Sequence, residues 1–102
     1  INPISKGHTL IIPKEHYVDI FDIPKDLLKY ISSISQKLSK NHMEKLKADG
    51  INILQSNKPA ANQVIIHYHL HVIPRYNDDG IILLHGTKKQ ESGLKKVLQE
   101  LT

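Results

Sequence analysis

Apolar residues fall in several blocks along this chain, and the blocks differ in period. HTLIIPK (8–14) is a short apolar run closed by Pro13 and predicts a strand. From Pro24 to Asp49 the period changes: Leu27, Leu28, Ile31, Ile34 and Leu38 recur at helical spacing, which predicts one long amphipathic helix. Pro24 suits its first turn, Asp22 or a neighbour its cap, and Gly50 its end. His42, Met43 and Leu46 continue the pattern less regularly, so the last turns are expected to be more exposed, with His42 on the polar side. GINILQS (50–56) alternates and predicts a second strand, and NKPAAN (57–62) a loop of turn formers. Gln63 to Ile73, long and β-branched, predicts a third strand. Asn77 to Gly80 read as a turn and IILL (81–84) as a short strand. Leu94, Val97, Leu98 and Leu101 predict a short final helix.

The order strand, helix, strand, loop, strand predicts an α+β domain in which an antiparallel sheet carries the long helix on one face. A chain of 102 residues is enough for one domain, here 1–102. No apolar run approaches the ~20 residues of a membrane span and no signal peptide is visible, so no membrane partner is expected. The absence of cysteine excludes a disulfide framework and a Cys-based zinc site within these residues, and fits a cytoplasmic protein. The net charge of +4 comes from dispersed lysines with a single arginine and no basic block of five. That is a solvated surface rather than a nucleic-acid site. The chain opens at Ile1 and reads at once as mid-domain sequence, so an N-terminal piece is expected to precede it.

The stretch VIIHYHLHVIPR (64–75) carries the chemistry. On a strand its three histidines, His67, His69 and His71, share one face, and Ile66, Tyr68, Leu70 and Val72 share the other, which suits the core. A merely solvated face would use Thr, Lys, Glu or Ser. The outer two histidines lie about 13 Å apart on a strand, a poor match to one tetrahedral ion, although a two-histidine site with His8 or His16 stays open. Catalysis is the third use. A neutral imidazole is a good nucleophile towards phosphorus when an acceptor fixes its tautomer, and flanking imidazoles can steady anionic oxygens. The middle histidine is the natural nucleophile, and the row should titrate as a coupled set.

QVIIHYHLHVIPR (63–75) closely resembles the signature of the histidine triad (HIT) proteins, H-φ-H-φ-H-φ-φ with φ hydrophobic. INPISKGHTLIIPKEHY (1–17) and GINILQSNKPAANQ (50–63) resemble HIT segments in the same order. The resemblance implies a nucleotide hydrolase or transferase acting at an α-phosphate, with a small-molecule nucleotide as substrate and a homodimer as assembly. His69 matches the family's nucleophile, which forms a nucleotidyl-histidine that water hydrolyses. His71 matches the histidine that contacts the phosphate, His67 the one that supports the row, and His8 a fourth active-site histidine from a neighbouring strand. Gln63 matches a residue near the phosphate and leaving group. Ile1, Ser56, Asn57, Asn62 and Val64 fall on nucleotide-binding positions.

Departures from the family pattern bear on substrate range. Asn62 stands where Gly is usual, Val64 where a hydroxyl residue frequently follows the Gln, Ser56 where Asn is common, and Pro59 among residues often Gly or Lys. Some bacterial members bind structural zinc with two N-terminal cysteines and histidines matching His16 and His67. No cofactor is therefore expected for this chain unless a preceding segment supplies cysteines. A catalytically weak nucleotide-binding protein of the same fold and a zinc-dependent hydrolase are the rivals. Arg75 is expected to pair with an acid or with solvent rather than with phosphate, and His85 to be a loop residue.

Overall fold

The computed structural model describes residues 4–82. Strand β1 (Thr9–Ile11), helix α1 (Lys25–Lys45), strand β2 (Gly50–Leu54), a single 3₁₀ turn (Pro59–Ala61) and strand β3 (Leu70–Arg75) follow in order. The sheet is antiparallel with β3 in the middle, in the order β1-β3-β2. The α+β class and the long helix on an antiparallel sheet are as the pattern predicts. The final helix (94–101), His85 and half of the 81–84 segment lie outside the described residues, and Ile81 and Ile82 are not in a strand. Among the described residues no helix is long and apolar enough to cross a membrane.

Helix α1 faces the sheet through Ile31, Ser35, Leu38 and His42, a stripe at i, i+4, i+7 and i+11. Its Ile31 joins Ile23, Tyr68, Leu70 and Val72 in the core, with Ile11, Tyr17, Leu27, Leu28 and Ile51 packed around them. The opposite face of β3 carries Ile73, packed against Ile4, Leu54 and Ile81. His42 is thus buried rather than on the polar side, because it falls on the inward stripe, and its Nδ1 has no hydrogen-bond partner. The helix also ends four residues earlier than Asp49. Lys47 turns left-handed (φ 57°), and the Leu46 and Ala48 N–H groups both fold back onto the His42 carbonyl, so Gly50 begins β2 instead of capping. Asp22 does not cap the other end. Its carboxylate accepts the Val18 N–H, and Pro24 stands at the cap with no side-chain hydrogen bond.

The largest departure concerns β3, which starts at Leu70 and not at Gln63. Its two neighbours run out there: Ile11 pairs with Leu70 and Leu54 with His71. Pro13 has no N–H with which to carry β1 further. Residues 64–69 therefore have no ladder to join despite their β-branched side chains, and Val64, Ile65 and Ile66 are exposed. Ile66 accordingly leaves the core row, whereas Tyr68, Leu70 and Val72 keep it.

Candidate active site

Of the three strand-spaced histidines, only His71 lies on a strand. His67 and His69 sit just before β3, and the triad is assembled by specific hydrogen bonds rather than by the pleat. His69 (5% exposed) directs Nδ1 at the His67 carbonyl, 2.8 Å away. A carbonyl only accepts, so Nδ1 carries the proton and Nε2 is left with the lone pair.

A second relay fixes the neighbour. The Ile4 N–H donates to His8 Nδ1 at 3.1 Å, so neutral His8 is protonated on Nε2. His8 Nε2 in turn lies 2.9 Å from His71 Nδ1 and donates to it, which leaves the His71 proton on Nε2. The His69 and His71 rings meet edge to face with centroids 5.0 Å apart, and those of His8 and His71 are 5.2 Å apart. The row so presents a nucleophilic lone pair on His69 and an N–H donor on His71. Burial, then the nearby His69 and His8 rings, push the His71 imidazolium down to about 3, so the ring is neutral at physiological pH. Burial lowers His8 in the same direction.

His8 reaches this position through the turn Ser5–His8. The His8 N–H bonds the Ser5 carbonyl, the Ser5 hydroxyl bonds the Pro74 carbonyl at 2.6 Å, and the Thr9 hydroxyl bonds the Gly7 carbonyl. Gly7 adopts φ +89°, and a Cβ there would collide with Leu46 and crowd Pro74. Glycine at this point lets the turn lie flat on the end of α1.

His67 faces away from the relay. Its Nε2 donates to the Pro13 carbonyl at 3.1 Å, and its Nδ1 lies 3.4 Å from His16 Nδ1. Two nitrogens on one tetrahedral zinc ion are separated by about 3.3 Å, so this pair has the bite of half a structural zinc site. Among the described residues no group of three His, Cys, Asp or Glu side chains could hold a metal, and the 102 residues include no cysteine to complete the set.

The other candidate positions divide. Gln63 is buried with its amide committed to the backbone: Oε1 accepts the Lys58 N–H at 2.8 Å, and Nε2 donates to the Val18 and Ile65 carbonyls. Asn57 accepts the Ile20 N–H at 2.7 Å and exchanges hydrogen bonds with Gln55. The Ser56 carbonyl accepts from Gln55 Nε2. Asn62 ends the 3₁₀ turn in the left-handed region (φ 67°, ψ 32°), a conformation asparagine tolerates, so the departure from glycine changes the side chain and not the backbone. Val64 is exposed, and Ile1 lies outside the described residues. Arg75 is spent on structure: it grips Asp79 through two hydrogen bonds of 2.8 Å and also donates to Asn52 and the Ile81 carbonyl.

What sequence reasoning missed is mainly backbone: the Ile4 N–H and the Pro13 and His67 carbonyls, which no side-chain pattern displays. A cavity of about 450 Å³ between the 11–17 segment and α1, lined by Ile12, Pro13, Tyr17, Leu27, Tyr30 and Ile34 among others, is largely apolar, contains no histidine and is not where this chemistry lies.

The HIT domain matches residues 1–78. An uncharacterized HIT-like protein of Methanocaldococcus jannaschii is 39% identical over 102 residues, covering 99% of this chain and 77% of its own length. The adenylylsulfatase HINT3 of Arabidopsis thaliana is 34% identical over 100 residues, 98% of this chain and 51% of that protein. The chain thus spans from about half to just over three quarters of the length of these two relatives. Among solved structures, a Zn-bound histidine triad family protein from Mycobacterium smegmatis superposes with a TM-score of 0.76 at 38% identity, over 99% of this chain and 75% of the other. A HIT family protein from Bacillus anthracis gives 0.74 at 31%, over 96% and 72%. The assembled histidines and these matches place the chain in the histidine triad (HIT) family.

Proposed function

We propose that the chain is a nucleotide hydrolase of the nucleoside phosphoramidate or dinucleoside polyphosphate type, working at the α-phosphate through a covalent nucleotidyl-histidine. The observation that carries this reading is the fixed tautomer of His69: Nδ1–H is held by the His67 carbonyl, so the Nε2 lone pair is free to attack. The Nε2–P bond forms as the bond from phosphorus to the leaving group breaks, and the leaving group departs with the electron pair. The His71 Nε2–H supports the anionic phosphoryl oxygens while His8 holds that tautomer in place. Water then attacks phosphorus, the P–Nε2 bond breaks with its electron pair returning to His69, and the proton lost by the water neutralises the departed leaving group, giving the nucleoside monophosphate and free His69. The resemblance to an adenylylsulfatase supports a nucleotidyl substrate. None of these steps uses a metal. Where a zinc ion is held, as in the Zn-bound mycobacterial relative, His16 and His67 would supply two of its ligands and the ion would brace the fold. A homodimer and a cytoplasmic setting belong to the same proposal.

The test is intact mass after brief mixing with adenosine phosphoramidate. The wild-type chain is expected to gain an adenylyl group or release AMP, and His69→Asn to do neither. Activity lost to a chelator and restored by zinc, with circular dichroism showing the fold intact throughout, would replace this reading with a metal-dependent one. The commitment of the Gln63 amide to backbone partners favours a second reading, a nucleotide-binding protein with little turnover. Binding of AMP by the wild-type chain, with no adduct and no AMP release, would select it.

A further inference from the structure

The loop leading into the triad is held in an unfavourable conformation. Lys58 has φ +74° and ψ 157°, a region otherwise almost reserved for glycine. The extended ψ follows from Pro59, which bars helical ψ at the preceding residue. The positive φ does not follow from Pro59, and such strain persists only where the surroundings over-determine it. Both backbone polar groups of Lys58 are committed, and its half-exposed side chain reaches a buried carboxylate. Its N–H donates to Gln63 Oε1 at 2.8 Å, and its carbonyl accepts the Ala61 and Gln63 N–H groups, both at 3.1 Å. Its ammonium lies 3.0 Å from Asp19 Oδ2 and 5.4 Å from the centre of the Phe21 ring. Asp19 is the unusual partner, a carboxylate only 1% exposed. Oδ1 accepts the Phe21 N–H, whereas Oδ2 makes no hydrogen bond and meets Lys58 as an ion pair without hydrogen-bond geometry. A buried carboxylate deprived of its cation is costly.

We propose that the Lys58–Asp19 pair is a positioning clasp for His69, an inference that rests on the nucleophile assigned above. The segment 13–20 lies against residues 57–68 and is joined to them at six places: Pro13 and His16 to His67, Tyr17 to Tyr68, Val18 to Gln63, Asp19 to Lys58 and Ile20 to Asn57. The Asp19–Lys58 link is the charged one and works directly against the strain at Lys58. When it is released, Lys58 relaxes to negative φ, its N–H leaves Gln63, and Gln63 loses its hold on Val18 and Ile65. Residues 64–69 have no strand partner to replace that anchor. The bond from His69 Nδ1–H to the His67 carbonyl then opens, and with it the fixed tautomer.

The measurement is the ring-nitrogen NMR signature of His69 in protein labelled with ¹⁵N-histidine, assigned by its loss in His69→Asn. Wild type and Lys58→Arg are expected to show one protonated Nδ1 and one bare Nε2. Lys58→Met should show signals averaged between tautomers, and its adenylylation should slow by roughly ten- to hundredfold. Lys58→Met/Asp19→Asn, which removes the orphaned carboxylate, should regain stability and yet keep the averaged signals. A folded Lys58→Met with the wild-type signature, or a double variant that restores it, overturns the clasp. If Lys58→Met does not fold, Asp19→Asn alone carries the same reading. If that also fails to fold, the pair is a general determinant of the fold and the proposal is wrong. The signature needs no turnover, so a wild-type chain that makes no adduct and releases no AMP but shows a Lys58-dependent tautomer would sink the hydrolase and leave the clasp standing.

Discussion

The chemistry of a histidine is decided by which nitrogen carries the proton, and in this chain backbone groups make that decision. His8, His69 and His71 were legible in the sequence as residue types; the middle position pointed to His69 as a nucleophile, and the roles proposed for the others came from the resemblance. The Ile4 N–H and the His67 carbonyl that set their tautomers were not legible, because every residue but proline has an N–H and every residue a carbonyl. Gln63 makes the same point in reverse. Its resemblance places it beside the phosphate, whereas its amide is bound at both ends to Lys58, Val18 and Ile65. Gln63→Ala is therefore expected to cost about 1–3 kcal/mol of folding stability, since buried partners lose their hydrogen bonds. Urea denaturation of the variant checks this. A Gln63 that served only to touch substrate would lower the adenylylation rate and leave the urea midpoint unmoved.

Elements were legible where their signal is local. The helical stripe of α1 and the alternation of β2 are written in contiguous residues, and both elements stand close to where the pattern puts them. The start of β3 is not a local property. It depends on where β1 and β2 stop, so a β-branched run reading as strand from Gln63 pairs only from Leu70. His42 was misplaced for a related reason: as a polar residue late in a fading pattern it read as surface, although its position continues the inward stripe. A close junction between elements lies at Gly7, where the His8 turn lies on Leu46 of the helix end and Pro74 of β3. Gly7→Ala should destabilise by at least about 1–2 kcal/mol, the cost of a left-handed residue with a Cβ, with the collision at Leu46 added to it. It should also pull His8 away from His71. A lowered melting temperature together with slowed adenylylation checks both effects, and a variant that melts lower but reacts at the wild-type rate would show that His8 is not needed in the row.

At the scale of the whole molecule, the buried imidazole relay makes folding depend on pH well above the carboxylate range. His71 is held at about 3 when folded, against an ordinary value of 6.5 when unfolded. Between those values the unfolded chain binds a proton that the folded chain refuses, so stability falls as the solution is acidified from about pH 6.5. The slope for one such group approaches about 1.4 kcal/mol per pH unit, and His8, shifted in the same direction, adds to it as a coupled partner. Asp79 acts in a different window. The Arg75 guanidinium holds its carboxyl well below the usual carboxylate range, so that contribution is intact above about pH 4 and is lost only as the pH falls further. Urea denaturation at pH 7, 6, 5 and 4 separates the two. The wild-type chain should lose stability steadily from pH 6.5, His71→Asn should flatten that part of the profile, and Asp79→Asn should leave the slope there unchanged while lowering stability at neutral pH. A wild-type profile level from pH 7 to 5 would mean that the His71 ring takes up its proton without cost in the folded chain. The neutral relay that leaves a proton on His71 Nε2, and with it the support drawn for the phosphoryl oxygens, would then be wrong.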